Sequence, residues 1–157
     1  MRAKVYIETT VVSYLTARPS RDVVIAGHQQ TTHEWWETSR DKFDVVASQL
    51  VVREAGAGDS QAAQERLAVL STLTLLEVTE EALALAQEII RAEAVPEKAD
   101  EDALHVAIAV TNGVEYLLTW NCKHLANATL RAKIEEVCRS AGYEPVIICT
   151  PEELLEV

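Results

Sequence analysis

Short apolar runs alternate along this chain with stretches whose apolar residues recur at helical spacing, and this alternation restricts the fold more than any other feature. Residues 4–7, 43–47, 73–78, 115–120 and 145–149 read as strands, the third weakened by Glu77. The segments between them read as helices, so the expected architecture is α/β with a mostly parallel sheet of about five strands. Punctuation supports the helices. Ser48 is a natural N-cap for 49–55 and Gly56 a natural stop. Asp59 or Ser60 opens a helix running through Leu70, on which Ala63, Leu67 and Leu70 recur. Thr79 caps 80–93, with Leu83, Ala86, Ile89 and Ile90 expected as its buried stripe.

After the first strand, a helix around 11–15 is interrupted by Pro19. The next helix begins either at Asp22 or at Thr31, where Thr31-Thr32-His33-Glu34 has the form of a capping box. Residues 102–111 are apolar nearly all round, as in a helix covered on most sides. Gly113 ends that helix, and Gly142 ends another over 125–141. Thr150-Pro151-Glu152-Glu153 predicts a final short helix. With no internal repeat, low-complexity tract or linker, residues 1–157 are expected to form a single domain.

A chain of 157 residues with 48% hydrophobic content can build a full core without disulfides or structural metal. Aromatic residues are only 5%, so that core must be mainly aliphatic. Cys122, Cys138 and Cys149 are odd in number and lack metal-ligand spacing, which fits a reduced, cytoplasmic chain. No apolar run approaches the ~20 residues of a membrane helix. The opening stretch breaks at Glu8, unlike the apolar core of a secretory leader. The net charge of −11 argues against a broad electrostatic grip on nucleic acid. It leaves open an enzyme that meets phosphates through bound cations.

Four separated fragments each set an oxygen-bearing side chain where a strand ends or a helix begins: Glu8, Glu54, Asp102 and Asn121. In open parallel sheets, ligands bind outside the C-terminal strand ends where the strand order reverses. Oxygen donors gathered there suit Mg²⁺ or Mn²⁺. Each residue also has a plainer reading: Asp100 or Asp102 as a helix cap, Glu54 on a solvent face, Asn121 as a turn residue. Glu8 resists one, because a carboxylate directly after a buried strand is costly when unpaired. Glu54 falls in the last turn of its helix, where the dipole disfavours negative charge. A cation, Arg53 or solvent would have to offset that. His105, three positions past Asp102, reads as a phosphate contact, as a support for the site, or simply as a hydrogen-bonded histidine at a crowded interface.

Ile7-Glu8-Thr9-Thr10, then Ser48 to Glu54, then Asp102-Ala103-Leu104-His105-Val106-Ala107, then Leu118-Thr119-Trp120-Asn121 together resemble a PIN domain, with closest similarity to VapC-type toxins of toxin–antitoxin pairs. The resemblance spans about residues 4–150. It implies a three-layer α/β/α fold and a Mg²⁺- or Mn²⁺-dependent endoribonuclease that cleaves RNA, is silenced by a cognate antitoxin and forms a homodimer. By position it implies metal ligation by Glu8, Glu54 and Asp102, with Asn121 as a fourth catalytic position. Thr9, Asp100, His105 and Thr119 would serve as supporting or substrate-facing residues. Two departures stand out: the family usually has Asp where this chain has Glu8, and many members have Asp where it has Asn121. The first lengthens a ligand by one methylene; the second removes a charge. Two other readings compete: a non-catalytic binding module on the same fold, and a Mg²⁺-dependent phosphatase. The latter lacks the Asp-x-Asp pair expected after the first strand.

Overall fold

Each of the five apolar runs forms a strand, most of them shortened at their ends. In the computed structural model, which describes residues 2–155, they are β1 (Lys4–Ile7), β2 (Asp44–Ser48), β3 (Thr74–Leu76), β4 (Tyr116–Leu118) and β5 (Ile147–Cys149). All neighbouring pairs are parallel, in the order β3-β2-β1-β4-β5. Among the described residues, seven α-helices fill the crossovers: α1 (Thr9–Thr16), α2 (Val23–Thr38), α3 (Gln49–Ala55), α4 (Ser60–Leu70), α5 (Glu80–Arg91), α6 (Asp100–Thr111) and α7 (Ala128–Ser140). Helices α1, α2, α3 and α4 make contacts among themselves, and α5 packs on both α6 and α7. Parallel strands require such crossovers, and their right-handedness sorts helices onto the two faces of the sheet. The result is the three-layer α/β/α arrangement.

Local chemistry explains the boundaries. Asp22, rather than Thr31, opens α2, because its carboxylate accepts from the backbone N–H of Val24 and Ile25. Thr31 lies inside the helix and returns its hydroxyl to the carbonyl of Gly27. Ser48, Asp59 and Thr79 cap α3, α4 and α5 as their residue types require. Helix α6 starts at Asp100, continuing from a 3₁₀ turn over Glu97–Ala99, so Asp102 lies within the first turn. The closing segment, Pro151–Leu154, is a 3₁₀ turn and not an α-helix.

Two packing expectations change. On α5 the buried residues are Ala82, Leu85, Ala86 and Ile89, while Leu83 is 49% exposed. The buried face of α5 thus includes two small residues, Ala82 and Ala86, and the helix packs on α6 and α7. Leu67 on α4 is likewise exposed, although Ala63 and Leu70 are buried. The core runs from the sheet, with Val5, Tyr6, Ile7, Leu117 and Leu118 fully covered, into α6. That helix is buried from Ala103 through Val110 except at Leu104, as its all-round apolar character predicted.

The strand order positions the site. From β1 the chain moves to β2 and β3 on one side, then returns to β4 and β5 on the other. The reversal therefore lies between β1 and β4, where the N–H of Glu8 bonds the carbonyl of Leu118 at 3.0 Å. Among the described residues, no helix is long and apolar enough to cross a membrane.

Candidate metal centre

Glu8 follows β1 directly and is only 5% exposed. Burial raises its carboxyl above the usual carboxylate range, against hydrogen bonds that favour the anion. Those bonds come from Thr10, 2.5 Å away, and from Thr119 beyond β4, 2.7 Å away, both to Oε1. Thr10 and Thr119 also accept from the backbone N–H of Trp120 and Asn121. Two hydroxyls thus lock the β4 end to the carboxylate.

Glu54 arrives from the last turn of α3. Its Oε1 accepts from Thr9 at 2.5 Å and contacts Nε2 of His105 at 2.7 Å. Burial works against the anion here too, but the bonds from His105, Glu101 and Thr9 prevail and hold Glu54 well below the usual carboxylate range. These partners, and not Arg53, offset the unfavourable helix end; Arg53 points instead to Glu101, 3.4 Å away. A hydrogen bond with Glu54 raises the carboxyl of that exposed neighbour, Glu101.

Asp102 and Asn121 meet across the same edge. Asn121 donates Nδ2 to Asp102 Oδ2 at 3.1 Å, and Nδ1 of His124 lies 3.0 Å from the same oxygen. Burial raises the Asp102 carboxyl, with His124 acting in the opposite direction. A pattern repeats across the three carboxylates: one oxygen of each carries two side-chain contacts. Such double anchoring fixes the direction in which a carboxylate can offer its charge.

Glu8, Glu54 and His105 bring one possible ligand atom each within 4.8 Å of one another. Asp102 is not in that tight group; it stands one turn before His105 on α6. Asp100 stays apart as well. It is exposed, and its side chain accepts from the N–H of Glu101. The donor chemistry fits a hard divalent ion, since two carboxylates that converge without a Lys or Arg ion pair among the described residues suit Mg²⁺ or Mn²⁺.

Sequence reading overlooked part of this constellation. Tyr6 counted only as a strand residue and Ser48 only as a cap, and His124 read as a loop residue that either meets RNA phosphates or faces solvent, not as a partner of Asp102. Tyr6 is fully buried. Its hydroxyl touches Ser48 Oγ at 2.7 Å and His105 Nδ1 at 2.6 Å. The signal was available: a buried tyrosine in an aliphatic strand needs a partner for its hydroxyl. Nearby, Trp120 is packing. It is 7% exposed, donates Nε1 to Thr32 and stacks on His28 at 4.1 Å. Trp35 is core, while Trp36 lies under the guanidinium of Arg40. A cleft of about 760 Å³ between α5 and α7, lined by Glu88 and Lys133, is formed by none of these residues.

No family model matches the chain, and no curated protein is similar to it in sequence. Solved structures are similar in fold. VapBC2 from Rickettsia felis, bound to a DNA fragment from its promoter, superposes with a TM-score of 0.61 at 13% identity, covering 94% of this chain and 98% of that one. VapC20 of Mycobacterium tuberculosis, a Sarcin-Ricin loop cleaving toxin, gives 0.56 at 17% identity, covering 72% and 86%. DNA-bound VapBC from Salmonella typhimurium gives 0.55 at 14% identity, covering 95% and 98%. At such identities the likeness is one of architecture, and on it the chain has the PIN-like α/β/α fold of the VapC toxins.

Proposed function

We propose that this chain is a Mg²⁺- or Mn²⁺-dependent endoribonuclease, the toxin of a toxin–antitoxin pair, acting in the cytoplasm as a homodimer until a cognate antitoxin binds it. The observation that carries the reading is the convergence of Glu8, Glu54 and His105 at the β1/β4 reversal of a VapC-like sheet. Support for the substrate comes from VapC20, which cleaves the Sarcin-Ricin loop. Support for the antitoxin comes from the two VapBC assemblies.

Glu8 and Glu54 would hold the ion, with Asp102 completing the acidic edge. A divalent ion bound there supplies Lewis-acid chemistry toward an RNA phosphodiester. Thr10 and Thr119 fix Glu8, and Thr9 and His105 fix Glu54, so that neither carboxylate has to reorganise when substrate arrives. Asn121 and His124 hold Asp102 in the same way. A cation held by these carboxylates would give a chain of net charge −11 one defined place to meet phosphate.

The test is cleavage of a mixed RNA pool with Mg²⁺, Mn²⁺ or EDTA, by wild type and by Asp102→Asn. Metal-dependent cutting that the substitution abolishes supports the nuclease. RNA binding without cutting in any metal would replace it with the binding module, a reading that Glu8, Asn121 and the net charge of −11 favour. Phosphate release from small monoesters would point to the phosphatase.

A further inference from the structure

The hydrogens at the heart of the site run in one direction, and a helix cap sets that direction. Ser48 Oγ accepts the N–H of Val51 as the N-cap of α3. Its own hydrogen then meets Tyr6 Oη, 2.7 Å away. The hydrogen of Tyr6 is thereby directed to its other contact, His105 Nδ1 at 2.6 Å. With Nδ1 accepting, the imidazole carries its hydrogen on Nε2, which faces Glu54 Oε1 at 2.7 Å. The reverse arrangement, with Nδ1 donating to Tyr6, would leave one of the two hydroxyl hydrogens, that of Ser48 or that of Tyr6, without an acceptor. Ser48, Tyr6 and His105 are all fully buried, and an unmet polar hydrogen there is costly.

We propose that Tyr6 is a positioning residue that locks His105 in the Nε2–H tautomer, making His105 a hydrogen-bond donor to Glu54 and withholding its nitrogen from any bound metal. The cation site is then built from oxygen alone, which favours Mg²⁺ or Mn²⁺ over zinc. This rests on the divalent-ion reading of the site above. The chain of contacts begins at the first residue before α3 and returns to the last turn of the same helix, so α3 supplies both the source of the polarity and the carboxylate that receives it. His105 stands one step behind the ligand Glu54, a position worth about 10- to 100-fold in metal affinity, and Tyr6 acts through it.

The test uses the full chain, uniformly labelled with ¹⁵N, and reads the histidine ring nitrogens by NMR without metal and with Mg²⁺. His105 should show a pyridine-like Nδ1 and a protonated Nε2, unchanged by Mg²⁺. Tyr6→Phe keeps the ring that fills the core but removes the hydroxyl. It should abolish the single-tautomer signature and weaken Mn²⁺ binding, followed by electron paramagnetic resonance, about 10- to 100-fold. A protonated Nδ1 in the wild type, displacement of the Nε2 hydrogen by the ion, or unchanged Mn²⁺ affinity in Tyr6→Phe would each overturn the proposal. These outcomes are distinct from failure of the functional reading. Tight Mn²⁺ binding without RNA cleavage would remove the nuclease and leave the lock standing, whereas a wild type that binds no Mn²⁺ would sink both the ion site and the role given to Tyr6 in it.

Discussion

Thr119 and Glu8, 111 residues apart in sequence, are joined by a 2.7 Å hydrogen bond that ties the ends of two neighbouring strands. The same hydroxyl accepts the N–H of Asn121, 3.0 Å away. Thr119→Val keeps the shape and removes both bonds. It should cost about 1–3 kcal/mol, because a buried carboxylate loses a donor and a backbone N–H loses its acceptor. Urea unfolding without metal measures this; a change below about 0.5 kcal/mol, the range of an inconsequential surface substitution, would contradict it.

Burial raises both Glu8 and Asp102, which gives a definite pH signature. The folded protein holds protons that the unfolded chain, with ordinary carboxyls near ~4, has already released. The stabilising contribution of these two groups is therefore complete below the ordinary carboxylate range and is lost as pH rises through their raised values. Glu54, lowered by its donors, has the opposite sign: its contribution is lost as pH falls. Glu8→Gln removes one of the raised groups. Its stability relative to wild type, measured without metal, should therefore improve steadily from mildly acid to neutral pH. A difference that is flat with pH would refute the raised carboxyl.

Asn121→Asp replaces the 3.1 Å donor contact to Asp102 with a facing carboxylate. Two like charges at that distance disfavour the metal-free fold. The melting temperature without metal should fall by about 2–4 °C for each kcal/mol lost. Added Mn²⁺ should raise the melting temperature of the variant more than that of wild type, since the new carboxylate adds a ligand. Calorimetry with EDTA and with Mn²⁺ reads both effects, and equal Mn²⁺ shifts in the two proteins would rule the added ligand out.

Trp120→Phe separates packing from the acidic edge. It removes the Nε1 bond to Thr32 and part of the stack on His28. The backbone bond from residue 120 to Thr10 remains possible. Stability should drop by about 1–3 kcal/mol. Mn²⁺ affinity should stay within about twofold of wild type, because a shift of 0.4 kcal/mol or less is expected where no ligand or its support is touched. Calorimetry and Mn²⁺ titration on one preparation supply the two numbers.

The sheet was readable because buried parallel strands are short apolar runs, and the helices because their caps carry diagnostic side chains. The ordered carboxylates Glu8, Glu54 and Asp102 were legible for the same reason: each falls at an element boundary. Their supporting partners were not. Tyr6, Ser48 and His105 lie in three elements, and only the register of β1 beside β2, with α6 packed against the sheet, brings them into line. That His105, and not Arg53, contacts Glu54 was also closed to sequence, since neither residue type nor spacing tells which side chain faces inward. The exposed Leu83 shows the same limit on α5: periodicity gives a stripe, and the neighbouring helix decides its centre.

The reversal of strand order between β1 and β4 carries a consequence for synthesis. Glu8 and Glu54 emerge early from a translating ribosome, yet the hydroxyl of Thr119 and the amide of Asn121 follow only with the fourth strand. An incomplete nascent chain lacks the Thr119 bond to Glu8 and the Asn121 bond to Asp102, so the acidic edge is assembled in full only once most of the polypeptide has been made.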